Sequence, residues 1–238
     1  MALETIAEVK KWLKDVIIVK YFSHFKFEKL SDNQFIAFTE NKTSLKKCFG
    51  ISLSRKSNNL HIVGIVLKLR LNKFEDYYDS ECQHYGRREE FIEVYSLRSD
   101  IPTAFWPIGY SIDLHTDESV ELLMNKIEKY IKTYDYIFTK YNTLYDLHNE
   151  CNDFGDNLSL YIPYGEHFKH IYVKYFCNDN SYKTFGELVI EKKNKSISDY
   201  PVDSTDIYML GWKREVEAIK DLLQRIERGE LKHLVGTF

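Results

Sequence analysis

The densest collection of reactive side chains lies between residues 74 and 93, Phe-Glu-Asp-Tyr-Tyr-Asp-Ser-Glu-Cys-Gln-His-Tyr-Gly-Arg-Arg-Glu-Glu-Phe-Ile-Glu. Seven acids against two arginines make it strongly acidic. Read as a loop held by a sheet, such a segment suits binding. Its tyrosines would supply contact area, and its carboxylates would speed encounter with a basic protein surface. The residues expected to touch a partner are Asp76, Tyr77, Tyr78, Asp79, Glu81, His84, Arg87 and Arg88. Asp146, Glu150, Asp153 and Asp156 would extend the same acidic surface. The alternative is a solvated connection with no partner.

Three further patterns bear on metals and catalysis. His167 and His170 stand at i, i+3, so on a helix they would share a face and could hold a metal. No third ligand has a diagnostic spacing, and Cys82 with His84 is a similarly loose pair. Glu191-x-Lys193, read as a strand, matches the second half of a metal-dependent nuclease site. There, carboxylates hold Mg²⁺ and a lysine stabilises the attacking hydroxide. That reading needs an upstream acid such as Asp179, and it meets a charged Lys192 where an apolar residue is usual. Glycine-rich phosphate loops and the Gly-x-Ser-x-Gly elbow are absent from the sequence. The sequence therefore assigns no catalytic residue, metal or cofactor.

Charge is segregated along the chain. Residues 1–73 carry a net +8, residues 74–165 a net −11, and residues 166–238 are balanced. Lys42, Lys46, Lys47, Arg55, Lys56, Lys68, Arg70 and Lys73 fall on or near expected strands. Gathered on one sheet face, they would bind nucleic acid by neutralising phosphates. The overall net charge of −3 and the acidic middle argue against that partner.

Elements must exist to position these groups. With 238 residues, 44% hydrophobic and 29% charged, the chain is long enough for a substantial core. A single α+β domain is expected, with helix plus sheet over 1–115 and mostly helix over 116–238. Aromatic residues reach 15%, which suits a ring-rich core. Cys48, Cys82, Cys151 and Cys177 are far apart, and the start lacks the basic and apolar regions of a signal peptide. A cytoplasmic protein with reduced thiols and no membrane segment is the expectation.

Apolar spacings of three and four predict a helix over 3–22, with Ile6, Val9, Leu13, Val16 and Ile17 inward. From Phe25 to Leu114 the period is two, which predicts a mainly antiparallel sheet. Its clearest strand is 60–72, with Val63, Ile65, Leu67, Leu69 and Leu71 on one face. A strand is also expected from about Phe105 to Leu114, and 89–97 leans the same way. Helices are then predicted over 118–141, capped by Thr116 or Asp117, and over 143–151. A pair at 165–178 and 181–193 would break at Asn178-Asp179-Asn180, although 181–193 also reads as a strand. A loop at 194–206 precedes a last helix at 206–228, ended by Gly229.

The leading helix, Trp106-Pro107-Ile108 and the helix from Val120 to Tyr141 resemble, in their order, an uncharacterised bacterial family built on a domain of unknown function. There a leading helix is followed by a meander, a Trp-bearing strand, a long helix and further helices. Some proteins of this general look are immunity proteins of bacterial toxin systems, and the resemblance implies that role. The functional expectation is accordingly a protein-binding module, such as a toxin-immunity inhibitor. A metal-dependent nuclease or related hydrolase and a nucleic-acid binder are the alternatives.

Overall fold

The computed structural model describes residues 2–28, 35–56, 59–85, 97–99, 112–153, 166–199 and 207–238. In chain order the elements are α1 (Ile6–Trp12), a π-helical segment (Leu13–Ile18), α2 (Val19–Tyr21), β1 (Lys26–Glu28), β2 (Phe35–Asn41), β3 (Leu45–Lys56) and β4 (Asn59–Leu71). There follow α3 (Asn72–His84), β5 (Leu97–Ser99), β6 (Ile112–Asp113), α4 (Asp117–Tyr134), α5 (Ile137–Lys140), α6 (Leu144–Asp153) and α7 (Glu166–Phe176). The chain closes with α8 (Tyr182–Asp199), α9 (Ile207–Glu227) and a 3-10 turn (Lys232–Leu234). This is the α+β architecture expected, with an antiparallel sheet. Among the described residues, no helix is long and apolar enough to cross a membrane. Cys48, Cys82 and Cys177 are free thiols.

The chain divides into two compact units, Met1–Asn72 with Tyr95–Asn142, and Lys73–Val94 with Thr143–Phe238. The first holds the sheet, in the order β1-β2-β3-β4-β5, with β6 also pairing with β4. Phe38, Phe49 and Leu67 stand opposite one another across β2, β3 and β4, as do Ile36, Ile51 and Ile65. All six are buried. Period-two alternation puts such triplets on one face, and their cross-strand packing fixes the register. Rings of Phe22, Phe25, Phe49 and Phe138 meet at centroid distances of 4.9 to 5.9 Å, joining the end of α2, β3 and α5.

Strand β4 departs from its simple alternation. Ser52 pairs with Gly64 but Leu53 pairs with Ile62, so Val63 is an extra residue in a β-bulge. A bulge inserts one residue and flips the face of everything beyond it. Leu60 and Ile62 are therefore buried before it and Ile65, Leu67 and Leu69 after it, while Val63 is 37% exposed. The expectation that Val63 shares the buried face is corrected on this ground.

The leading helix is also re-phased. Its capping box was not read from the sequence: Thr5 Oγ1 accepts from the Glu8 N–H at 3.2 Å, and the Thr5 N–H donates to Glu8 Oε2 at 2.9 Å. Beyond Trp12 the backbone winds as a π-helix. Its i→i+5 closure puts residues five apart over one another. Trp12 and Ile17, and Leu13 and Ile18, are all buried, and Val19 turns outward at 63% exposure.

Helix α4 begins at the Thr116 cap, whose hydroxyl accepts from the Ser119 N–H at 3.1 Å. The single helix expected over 118–141 is two, since α4 ends at Tyr134 and α5 starts at Ile137. Of the strand expected from about 105 to 114, residues 105–111 lie outside the described residues and Ile112–Asp113 form β6. Trp106-Pro107-Ile108 and residues 86–96 lie outside the described residues. Helix α8 runs to Asp199, so the expected loop over 194–206 is helical in its first half.

Candidate functional site

Residues 74–84 of the acidic segment lie in helix α3, which corrects the loop reading for that part, while residues 86–93 lie outside the described residues. The reason is a helical spacing partly written in carboxylates. Phe74, Glu75, Tyr78, Glu81 and Cys82 recur at helical intervals and are all buried. A pattern search that counts only apolar residues misses two of these five.

Both inward acids belong to the second unit and are spent inside it. Glu75 Oε1 lies 2.6 Å from the Lys169 Nζ of α7, and both side chains are 0% exposed. The ammonium sits 5.7 Å from the Phe74 ring centroid and 5.2 Å from that of Tyr78. Ring faces carry negative charge density and favour a cation there. Glu81 Oε2 accepts from Arg225 Nη1 of α9 at 2.6 Å and from the Tyr172 hydroxyl of α7. Arg225 Nη1 also donates to the Tyr85 hydroxyl at 3.0 Å, which in turn donates to Asp221 Oδ2 at 2.6 Å. Burial, and then the charge of Glu81, push the Tyr172 hydroxyl far above its ordinary range, so it stays a donor. The hydrogen bond from Arg225 to Glu81 holds the guanidinium further into its charged form.

The partner-contact set therefore splits. Tyr78 and Glu81 are buried and cannot form a contact surface, which corrects those two assignments. Asp76 and His84 are exposed, and Tyr77 and Asp79 are half-buried. Burial and the charge of Glu81 also raise the Tyr77 hydroxyl above its ordinary range. Arg87 and Arg88 lie outside the described residues, as does Asp156. Asp146 is occupied at the start of α6, where its Oδ2 accepts from the Thr143 N–H and hydroxyl, each at 2.9 Å.

A second polar junction ties α6, α7 and α8 together. Asn178 takes φ 60°, a left-handed conformation that asparagine tolerates, and ends α7 where the sequence placed the break. Asp179 then accepts from the Ser181 N–H and from Lys174 Nζ, and meets His148 Nε2, each at 2.9 Å. These hydrogen bonds outweigh its partial burial and hold the carboxyl well below the usual range. Gly186 lets α8 approach closely: a Cβ there would stand 3.1 Å from Leu223 Cδ1 and 3.4 Å from Ile171 Cδ1.

The two histidines both lie beside Phe185 of α8, at 6.3 and 4.6 Å between ring centroids, but they differ in burial. The His167 side chain is 45% exposed, 4.0 Å from Glu215 Oε1, whereas His170 is buried against Phe185. Cys82 is buried and His84 exposed. Among the described residues, no group of three or more His, Cys, Asp or Glu could hold a metal ion. Glu191 and Lys193 sit on a helix, which removes the strand that the nuclease reading needs, and Lys193 Nζ is 2.6 Å from Glu215 Oε2.

The basic third is divided by the sheet. Lys46 pairs with Arg70, and Cys48 with Lys68, so these three cations share a face. Lys46 and Arg70 are each only 6% exposed, and Lys46 Nζ is 2.8 Å from Glu28 Oε1. Lys47 stands on the other face beside Glu40, and Lys42 meets Glu40 at 2.8 Å. The continuous basic face expected from the sequence is not assembled by these residues. No family model, no curated protein and no solved structure matches this chain.

Proposed function

We propose that the chain is a protein-binding module of the toxin-immunity type, and that the outer side of α3 contributes to its contact surface. The observation that carries this reading is the two-sided character of α3. Its inner side is fastened to α7 by Glu75 with Lys169, and to α9 by Glu81 with Arg225. Asp76 and Asp79 stand outside that fastened side, Asp76 exposed and Asp79 half-buried. Carboxylates on a helix with a locked inner face are presented at little further entropic cost on binding. The net −11 of residues 74–165 supports a basic partner, because complementary charge speeds encounter. Reversing both Asp76 and Asp79 to Lys then weakens binding to that partner, chiefly through a slower association rate at low salt. Unchanged binding after the double reversal removes α3 from the surface.

A further inference from the structure

His170 is a buried imidazole that none of the foregoing uses. His170 on α7 is 4% exposed, and among the described residues neither Nδ1 nor Nε2 has a hydrogen-bond partner. Its ring meets that of Phe185 on α8 at 4.6 Å between centroids, with the planes 60° apart. An imidazolium needs acceptors on both nitrogens, and this site supplies neither. The charged and titratable groups around it are mostly cations or potential cations: Lys174 and His167 on its own helix and His148 on α6. Asp179 in the α7–α8 turn opposes them. Asp179 is itself engaged by Lys174, Ser181 and His148. From α8 the neighbour is the uncharged ring of Phe185, and Glu215 of α9 lies by His167.

We infer that His170 is a proton-sensitive latch between α7 and α8: the neutral ring closes the pair, and protonation releases it. A charged imidazole cannot stay where it has no acceptor, so it must reach water, and the motion that exposes it parts α8 from α7. The turn at Asn178-Asp179-Asn180 is the natural pivot, and the close approach at Gly186 is the contact that loosens. Burial, and then the charge of Lys174, lower the ring's pKa from 6.5 to about 3. The open form keeps an ordinary histidine, so acid favours it. The sign is that of a neutral-buried histidine, with the latch closed above the ordinary value and progressively released below it. Linkage between those two values gives a rise in the opening constant of roughly 25-fold from pH 7 to pH 5.

The test is amide hydrogen exchange on the full chain at pH 7 and pH 5, corrected for the intrinsic pH dependence of exchange. Opening of α8 is expected to rise roughly 25-fold, with the β3–β4 amides unchanged. His170→Phe and His170→Leu, one larger and one smaller, are both expected to abolish the rise. His148→Gln is expected to preserve it. A flat wild-type profile overturns the inference, as does an undiminished rise in the His170 variants or a rise lost in His148→Gln. Should neither His170 variant fold, the imidazole resonance of the wild type decides. A ring that titrates near 6.5 while α8 stays closed overturns the latch, and a ring still neutral at pH 5 in the closed form supports it.

Discussion

The fully buried pair of Glu75 and Lys169 gives the sharpest energetic prediction. Its atoms are 2.6 Å apart and neither side chain is exposed, so each charge is a close, desolvated neighbour of the other. Lys169→Met keeps most of the volume and the contact with the Phe74 and Tyr78 rings but takes this cation away from the buried Glu75 carboxylate. Removing one member of a buried pair typically costs about 3–5 kcal/mol. Replacing both members with apolar residues, Glu75→Leu with Lys169→Met, removes two desolvation penalties together and is expected to cost less than about 1 kcal/mol or to stabilise. The two changes are therefore strongly non-additive, with a coupling of roughly 3 kcal/mol or more. Urea unfolding read by Trp212 measures it, with Trp12 and Trp106 replaced by Phe in every variant so that the signal comes from the second unit. With a slope near 2 kcal/mol per molar urea, the single Lys169 variant loses about 2 M from its midpoint. A single variant that unfolds with the parent, or a double variant as unstable as the sum of the singles, refutes the claim that this pair is one desolvated unit.

Two smaller predictions follow from helix ends. Gly229 takes φ 76°, its N–H donates to the Ile226 carbonyl, and the Glu230 N–H closes back on Arg225, so Gly229→Ala should cost about 1 kcal/mol in urea unfolding of the second unit. The Thr116 hydroxyl caps the Ser119 N–H, so Thr116→Ala should also cost about 1 kcal/mol, while Thr116→Ser should retain most of the stability. A Thr116→Ala variant with an unshifted midpoint would show that the cap contributes nothing net.

The elements with clean apolar periodicity were legible in the sequence. Strand 60–72, the cap at Thr116, the break at Asn178-Asp179-Asn180 and the stop at Gly229 all lie where residue type and spacing put them. What was not legible came from two sources. One is local re-phasing: the bulge at Val63 and the π-helical segment after Trp12 keep the same residues in order but turn them to new faces. A fixed period of 2 or 3.6 cannot register an insertion of one residue. The other is the burial of charge. Glu75, Glu81, Lys169 and Lys174 read as solvent-facing in a composition-based pattern, and each is at most 9% exposed: Glu75 and Lys169 meet each other across two helices, Glu81 meets Arg225, and Lys174 meets Asp179 in the following turn. A helical pattern for 72–84 emerges only once Glu75 and Glu81 are admitted as inward positions, which is why the acidic segment read as a loop. The same effect dispersed the candidate site: two of its expected contact residues became internal supports, while Asp76 is exposed and Asp79 half-buried.

The most direct measurement is the affinity and association rate of the purified full chain for the protein it captures from its own cell's extract, taken with the parent and with Asp76→Lys/Asp79→Lys. The proposed function predicts a basic partner that binds with fixed stoichiometry, faster at low salt, and at least tenfold more weakly after the double reversal. A captured protein bound equally well by the reversed chain, or no stoichiometric partner at all, contradicts it.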